Sequence, residues 1–530
     1  MATTRTVLVP MGTPDGLVVA LFHRGPKPDD MKLVATVNGH DQTIPVTEWR
    51  NCHAPFEGKE GADFELWAAK EKPNVRAATE VSLKVVGAET VTGSAWAAPG
   101  PDTRRCTLAF GSCFGLRNVR HLDDEAFDET IRRHMVEAYG ELTAGSGDPV
   151  YNLWLGDQVY LDDPRVGSLA SIRIHQRILD RYAQTWGLGG RSGFAHLLGR
   201  SANWFLTDDH ELWNGYPRAN ITLLGHTAGR LKEQARRYVT HKAEPSHPFH
   251  QGDWGRMAGA AFMTFQSPSF DDDLNRFNDR VSPFPDADGP SPYAGVATFG
   301  SDTFTVALLD TRWNRTMLRS SHGKRHAGFS SEAALIEVET LLRERDHLVV
   351  LCLSRPIVGQ PRKRIVVPFF AETAPEHYRE QYERLLEAVE TRSRAGWPTL
   401  ILAGDVHAHS ARLALGGSVL EIVSSPMSLI ESLDTRGLLK IPWKKRLVKG
   451  GADLLGWLGD RIALPERSWA SGRGENVLML SEDDARRDGL AAVRIDTTNS
   501  AQPEVTYTCR LSGLAAKTAT LQWRDQAWRI

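Results

Sequence analysis

The first hundred residues show short apolar runs that turn-forming residues interrupt. Between residues 6 and 91, runs rich in valine and leucine (TVLVP, GLVVALFHR, KLVATVNG and VSLKVVG) are separated by Gly, Pro, Asp and Asn. Short runs with frequent turn signals are typical of a small antiparallel β-sandwich. A Pro- and Gly-rich stretch at 97–102 (AAPGPD) follows them. The pattern predicts an N-terminal β-sandwich domain over residues 1–100 and a second domain over residues 101–530.

Beyond this linker, apolar strand-like runs alternate with longer amphipathic patterns. The alternation predicts a layered α/β domain, in which helices cover a sheet and ligand-binding residues gather at the carboxyl ends of the strands. The final stretch returns to β-branched runs (VTYTCRL and ATLQW), which indicate edge strands. Strands are predicted at residues 106–113, 150–155, 203–206, 303–309, 348–353 and 399–403. Helices are predicted at residues 123–139, 167–184, 330–345 and 375–393.

Composition narrows the classes of protein to consider. The 530 residues include 63 Lys and Arg against 65 Asp and Glu, and the formal net charge of −2 argues against nucleic acid as the main partner. With 41% hydrophobic residues, the chain resembles ordinary globular proteins rather than disordered ones. No apolar run approaches the roughly 18 residues of a transmembrane helix, and the first residues lack the apolar stretch of a secretory signal. We therefore expect a cytoplasmic protein without a transmembrane span.

Four polar clusters each follow directly after a predicted strand. They are GSC at 111–113, GDQVY at 156–160, DDHE at 208–211 and GDVH at 404–407. Because parallel strands of one sheet end at a common edge, these placements predict that the clusters meet there. Thiol, phenol, carboxylate and imidazole groups are all metal ligands. Two cations about 3.5–4 Å apart that share a carboxylate suit phosphoester hydrolysis, so the set predicts a metallophosphoesterase.

As a set, the four clusters resemble those of the PhoD-like (alkaline phosphatase D) family of metallophosphatases, relatives of the purple acid phosphatases and calcineurin-like phosphoesterases. The resemblance covers roughly residues 106–425, and the first hundred residues are similar to the family's N-terminal domain. It implies a calcineurin-like β-sandwich flanked by helices, preceded by a small all-β, immunoglobulin-like domain. Motifs of competing enzyme classes (a Walker A loop, GxGxxG after a strand, HExxH and GxSxG) are missing from the sequence.

The resemblance also implies a mixed site of Fe³⁺ and one or two Ca²⁺ ions, with other divalent metals as alternatives. Cys113 and Tyr160 would ligate the ferric ion, and Asp157 would bridge the metals. His210 would protonate or orient the leaving group. The further ligands that it implies are Asp208, Asp209, Asn214, Asp405 and His407. The arginines that would clamp the phosphate oxygens are Arg312 and Arg355.

The function that these residues favour is hydrolysis of a phosphomonoester or phosphodiester by a metal-bound hydroxide. The substrate would be a small phosphoester or a polyanion. The basic segment 440–449 (KIPWKKRLVK) is more often a solvated face, and its functional interpretation is attraction of a polyanionic substrate or of an anionic membrane surface. Two alternatives stay open, a non-catalytic metal-stabilised binding protein and a nucleotide or nucleic-acid phosphodiesterase. Taken singly, Cys113 is more often a small buried apolar residue and Tyr160 a core residue, so the hypothesis depends on the four clusters together.

Overall fold

A computed structural model provides the architecture of the chain. Among the residues that it describes, every helix is too short or too polar to span a bilayer. The described residues are 5–52, 65–87, 90–114, 125–144, 147–161, 174–188, 194–212, 253–268, 295–315, 319–321, 324–326, 328–358, 379–428, 475–477 and 480–530.

The described residues begin with nine strands, and helices join further strands from residue 125 onward. The strands are β1 (Arg5–Thr13), β2 (Gly16–Arg24), β3 (Lys32–Val37), β4 (His40–Pro45), β5 (Arg50–Asn51), β6 (Leu66–Glu71), β7 (Glu80–Val86), β8 (Val91–Trp96), β9 (Arg105–Gly111), β10 (Val150–Leu155), β11 (Ala202–Leu206), β12 (Val296–Gly300), β13 (Phe304–Leu309), β14 (Arg319–Ser321), β15 (Lys324–His326), β16 (Leu348–Leu353), β17 (Thr399–Ala403), β18 (Ser410–Ala414), β19 (Val419–Val423), β20 (Glu475–Asn476), β21 (Gly489–Asp496), β22 (Glu504–Leu511), β23 (Lys517–Arg524) and β24 (Ala527–Arg529). The α-helices are α1 (Glu125–Thr143), α2 (Ile174–Thr185), α3 (Ala195–Leu198), α4 (Asp253–Phe265), α5 (Glu332–Glu344), α6 (Arg379–Arg394) and α7 (Glu482–Ala485).

Helix α5 shows how the sequence pattern produces an element. Ser331 precedes the helix, and its side chain accepts the backbone N–H of Ala334 at 3.2 Å, which caps the first turn. Leu335, Val338 and Leu342 recur at helical spacing and are buried, so one face packs against the core. The helix predicted here from the sequence is confirmed.

Two large sheets form the body of the described structure. One has eleven strands in the order β24-β23-β22-β21-β9-β10-β11-β1-β2-β6-β5, and the other has seven in the order β12-β13-β16-β17-β19-β18-β20. Strands β9, β10 and β11 are parallel neighbours, and so are β13, β16, β17 and β19. Their residues are almost all buried, as expected for parallel strands covered on both faces. The mixed α/β class predicted from the alternation is confirmed.

The inner faces of the two sheets pack against each other. Leu108 of β9 and Leu153 of β10 belong to the same buried cluster as Val306 of β13 and Val350 of β16. Helices α1, α2 and α4 cover the other face of the first sheet, while α5 and α6 cover that of the second. Burial of one such side chain contributes about 1.5–3 kcal/mol, so packing holds the two sheets in a fixed relation. The described core therefore has four layers, in the order helix, sheet, sheet, helix.

The first hundred residues are β-rich, as predicted, and they contribute to two sheets. Strand β1 pairs with β2 and joins the eleven-stranded sheet beside β11 through the pair Met11↔Asn203. Strands β3, β4, β7 and β8 form a separate four-stranded sheet. The large sheet thus continues across the predicted boundary near residue 100. The division into domains 1–100 and 101–530 stays a prediction.

Candidate metal centre

The four polar clusters lie at the carboxyl ends of parallel strands from both large sheets. Cys113, Asp157 and Asp208 follow β9, β10 and β11 of the first sheet, and Asp405 follows β17 of the second. The backbone N–H of Asp405 donates to Ser112 Oγ at 2.9 Å, across 293 positions of the chain. The packing of the two sheets therefore brings distant residues to one edge, where ligand sites of parallel sheets are normally found.

Three of the four clusters begin with glycine, and at two of these glycines, Gly156 and Gly404, neighbouring strand ends approach too closely for a side chain. A Cβ atom at Gly156 would lie 2.6 Å from Cβ of Asp208, and one at Gly404 would lie 2.5 Å from Cβ of Ser112. Gly156 also has a φ of 93°, which glycine adopts without steric cost. The glycines of GDQVY and GDVH therefore allow the loops after β10 and β17 to contact their neighbours.

Four of the predicted ligands have a left-handed backbone. The φ angle is 59° at Cys113, 57° at Asp157, 65° at Asp405 and 49° at His407. For residues other than glycine this conformation costs on the order of 1 kcal/mol, and such residues cluster at functional sites. Its occurrence at four predicted ligands favours a functional role for this edge of the two sheets.

Asp157 lies at the centre of the site. Its carboxylate oxygen Oδ2 is contacted by Cys113 Sγ at 3.6 Å and by the Tyr160 hydroxyl at 3.4 Å. The other oxygen, Oδ1, accepts the backbone N–H of His210 at 3.1 Å. The ring of His210 packs on that of Tyr160, with 4.1 Å between the ring centres. The structure thus brings the clusters after β9, β10 and β11 together at one carboxylate.

Three overlapping sets of side chains could each hold a metal ion. Within each set, one donor atom per residue lies within 4.8 Å of the others. Asp157 belongs to all three sets. One set also contains a thiol, and the other two contain only carboxylates or carboxylates with an imidazole. Thiol, carboxylate and imidazole groups are all donors that metal ions accept. The sets are Cys113, Asp157 and Asp405; Asp157, Asp209 and His210; and Asp157, Asp208, Asp209 and Asp405.

The remaining predicted ligands are His407 and Asn214. His407 is partly buried, and its backbone N–H donates to Ser425 Oγ at 3.2 Å. Its ring belongs to none of the three sets found among the described residues. The same Ser425 hydroxyl donates to Cys113 Sγ at 3.2 Å, which links the loop after β17 to the thiol. Asn214 and the basic segment 440–449 lie outside the described residues.

Buried acids dominate the electrostatics of the site. Burial raises the pKa of the Asp157 carboxyl, the Cys113 thiol and the Tyr160 phenol well above their ordinary values. Burial also raises the pKa of Asp405 to about 8, although the positive charge of Arg355 opposes this shift. Burial lowers the pKa of His407 to about 4, so its ring is neutral near pH 7. A cation here would favour ionised carboxylates, and a neutral imidazole is the form that ligates metals.

Two arginines lie among these acids. Arg312 Nε donates to Asp208 Oδ1, and Arg312 Nη2 lies 3.3 Å from Asp209 Oδ1. Arg355 Nε lies 2.6 Å from Asp405 Oδ2 and 3.6 Å from Asp208 Oδ2. The exposed fraction of the side chain is 0% for Arg312 and 13% for Arg355. Both arginines predicted as phosphate clamps therefore reach the site, and Arg355 is the one with surface open to a ligand.

Sequence reasoning gave Glu211 no role, although it ends the DDHE cluster. Its buried carboxylate accepts the backbone N–H groups of Asp157 at 2.9 Å, Gln158 at 2.6 Å and Asp208 at 2.9 Å. Burial raises its pKa to about 7, although these three hydrogen bonds favour the ionised form. Its place in the same cluster as the predicted ligands Asp208 and Asp209 was the available signal. Glu211 holds the loops after β10 and β11 together.

Asp310 is a second buried acid to which the sequence analysis gave no role. Its Oδ2 accepts the backbone N–H of Thr207 at 2.9 Å and the Thr207 hydroxyl at 2.6 Å. Its Oδ1 accepts the backbone N–H groups of Arg312 at 2.9 Å and Trp313 at 2.7 Å. Asp310 therefore ties the end of β13 in the second sheet to the end of β11 in the first. The sequence signal was its position directly after an apolar strand.

Comparison with models of known protein families finds no match for this chain, and comparison with curated proteins finds none. What the chain does is therefore inferred from the residues of the site and their geometry. The most informative feature for that purpose is the membership of Asp157 in every donor set.

Proposed function

We propose that the chain is a metal-dependent phosphoesterase with a centre for at least two cations, similar to that of PhoD-like phosphatases. The position of Asp157 carries this proposal, because it is the carboxylate that all three donor sets share. A carboxylate shared by two cation sites would let both ions act on one phosphoryl group. If Cys113 were only a buried core residue, or the aspartates only a helix cap, no carboxylate would need to be shared between the donor sets.

The proposal extends to the fold. Two facing sheets, with helices on their outer faces and the candidate site at the ends of parallel strands, suit a calcineurin-like phosphoesterase domain. The antiparallel sheet of β3, β4, β7 and β8 supports a small N-terminal β domain. Its immunoglobulin-like character is part of the proposal.

The donor chemistry fits the proposed ions. The thiol of Cys113 and the phenol of Tyr160 both contact Asp157, and these are ligands that a ferric ion accepts. The other carboxylates offer the oxygen ligands that Ca²⁺ prefers. When bound, the ions would supply an activated water and positive charge for the phosphoryl oxygens. The residues that would hold them are Cys113, Tyr160 and Asp157 for iron, and Asp157, Asp208, Asp209 and Asp405, with Asn214, for calcium. His407 is a further proposed ligand of the centre.

Two further side chains have separate tasks in this proposal. The partly buried ring of His210 is held against Tyr160, and it would donate a proton to the leaving oxygen. The partly exposed guanidinium of Arg355 would pair with a phosphate oxygen. The backbone N–H of His210 donates to the shared carboxylate of Asp157, and Arg355 lies 3.6 Å from Asp208 of the same donor sets, which supports a task for both at one centre.

Metal content and turnover, measured on the same preparation, test the proposal. Natively purified protein should contain iron and calcium and should hydrolyse p-nitrophenyl phosphate or bis(p-nitrophenyl) phosphate. In Asp157→Asn, turnover should fall by more than about 100-fold, since loss of an outer-shell residue alone typically costs 10- to 100-fold. The exposed Asp302→Asn is the matched control and should retain both metal and turnover. Full activity in a folded Asp157→Asn variant would refute the proposal.

Other results of the same experiment point to the two alternatives. Bound metal without turnover of either ester would favour a metal-stabilised binding protein. Faster cleavage of an oligonucleotide than of the small diester would favour a nucleotide or nucleic-acid phosphodiesterase. The near-neutral net charge of −2 favours the small ester, because nucleic-acid enzymes usually present a basic face.

A further inference from the structure

We propose that Arg312 is a positioning residue, which fixes the carboxylates of Asp208 and Asp209 for cation binding and does not contact the substrate. This inference rests on the proposed function and goes further, because it assigns the two site arginines different tasks. Arg312 orients metal ligands, and Arg355 faces the phosphate.

The contacts of Arg312 are the first observation. Its Nε donates to Asp208 Oδ1, and its Nη2 lies 3.3 Å from Asp209 Oδ1. A guanidinium is planar and rigid, so one arginine can fix two neighbouring carboxylates at once. The side chain is 0% exposed, which leaves no surface for a phosphate from solution to contact.

The geometry at Asp208 is the second observation. Its Oδ1 also accepts the backbone N–H of Asp209 at 2.9 Å, so two donors occupy this oxygen. The buried Oδ2 accepts no hydrogen bond from the described residues, and the charged Nε of Arg355 lies 3.6 Å away from it. Asp208 offers an atom within 4.8 Å of those of Asp157, Asp209 and Asp405. Arg312 therefore fixes one oxygen of Asp208 and leaves the other available to a cation.

Asp310 supports Arg312 in turn. It accepts the backbone N–H of Arg312 at 2.9 Å, and its other oxygen binds the backbone N–H and hydroxyl of Thr207. Thr207 directly precedes Asp208 in the chain. One buried carboxylate thus fixes both the arginine and the loop that carries the aspartates. Such second-layer contacts commonly set the orientation of metal ligands.

Lysine substitution of each arginine gives a matched pair of variants. Lysine keeps the charge but loses the planar fork, so Arg312→Lys should weaken Ca²⁺ binding by about 10- to 100-fold in calorimetric titration. At saturating metal, its KM and its inhibition by inorganic phosphate should match those of the wild type. Arg355→Lys should differ by weakening phosphate inhibition about 10-fold or more, because lysine cannot pair with two phosphate oxygens as the guanidinium can.

A second variant covers the case in which Arg312→Lys does not fold. Thr207→Val keeps the shape of the side chain and removes the hydroxyl that Asp310 accepts. Ca²⁺ affinity should fall several-fold, while phosphate inhibition stays unchanged. Unaltered Ca²⁺ affinity in folded Arg312→Lys, or in Thr207→Val where Arg312→Lys is unfolded, overturns the inference. So does a loss of phosphate inhibition in Arg312→Lys equal to that in Arg355→Lys.

Failure of the proposed function would look different. A wild-type protein that binds Ca²⁺ but hydrolyses no phosphoester would contradict the phosphoesterase proposal. The Ca²⁺ affinities of the wild type, Arg312→Lys and Thr207→Val would still test the positioning role. If the wild type binds no Ca²⁺, both proposals fail together.

Discussion

The carboxylate of Glu211 accepts the backbone N–H of Asp157 at 2.9 Å, across 54 positions of the chain. Through this bond and two similar ones, a single buried side chain fixes the loops that carry Asp157 and Asp208. The central carboxylate of the candidate site is therefore held by its backbone as well as by its side-chain contacts. Such support from a second layer of residues is typical of metal centres.

Replacing Glu211 should test how much this support contributes. In Glu211→Gln the carboxamide has one acceptor oxygen where a carboxylate had two, so at least one buried N–H group loses its partner. We expect the free energy of unfolding to fall by about 1–3 kcal/mol in urea denaturation. The exposed Glu337→Gln is the control and should unfold like the wild type. Equal stability of the two variants would contradict a structural role for Glu211.

The glycine that opens the GDVH cluster allows a second test. A Cβ atom at position 404 would lie 2.5 Å from Cβ of Ser112, so Gly404→Ala should destabilise the protein by about 2 kcal/mol or more. Gly140 lies within helix α1 and has nothing within 4 Å of an added Cβ, so Gly140→Ala should stabilise the protein by about 0.5–1 kcal/mol. Thermal melts of both variants check the opposite signs. A stable Gly404→Ala variant would show that the two strand ends are not closely packed.

The metal-free protein should lose stability as the pH rises through neutrality. Burial raises the pKa of Asp405 to about 8 and that of Glu211 to about 7, whereas in the unfolded chain both groups ionise near pH 4. Between about pH 6.5 and pH 8 the unfolded state has already released these protons, and the folded state still holds them in part. A rise in pH therefore favours unfolding over this range.

Two histidines, His407 and His409, affect the free energy of unfolding at lower pH than Asp405 and Glu211 do. Burial lowers the pKa of His407 and of His409 to about 4, so their effect on stability falls between about pH 4 and pH 6.5 and has the opposite sign. The melting temperature of chelator-treated protein should decrease from about pH 6.5 to about pH 8, and added metal should stabilise the protein more at the higher pH. A melting temperature that rises over this range in the chelated protein would contradict the raised pKa values.

The visible absorption spectrum should show whether the phenol of Tyr160 binds iron. If Tyr160 ligates Fe³⁺, the protein absorbs visible light through charge transfer from phenolate to metal, and Tyr160→Phe should lose that band. Tyr151→Phe is the control, because the Tyr151 hydroxyl donates to Ala97 O and takes no part in the site. Absorption spectra at equal iron content provide the comparison. Because a thiolate such as Cys113 also gives visible charge transfer to Fe³⁺, the decisive comparison is the whole spectrum, and a Tyr160→Phe spectrum identical to that of the wild type would remove Tyr160 from the ligand set.

The sequence determined the mixed α/β class and the places where polar clusters follow strands. Apolar runs such as 348–353 predict buried strands because burial on both faces requires continuous hydrophobicity, and β16 occupies that range. Helix α6 was predicted at 375–393, and its described part, Arg379–Arg394, ends one residue from the predicted end, while the predicted start lies outside the described residues. Each of these features is set by residues close together in the chain, so the local sequence pattern is enough to predict it.

Only the tertiary structure decided which residues meet. The pattern placed the four clusters at the edge of one sheet, whereas those of Cys113 and Asp405 belong to two sheets that pack face to face. The left-handed backbone at both residues and the buried hydrogen bonds of Glu211 depend on contacts between distant segments. The spacing of apolar and polar residues along the chain does not predict such contacts. Hydrogen bonds and close packing form between atoms that only the fold brings together.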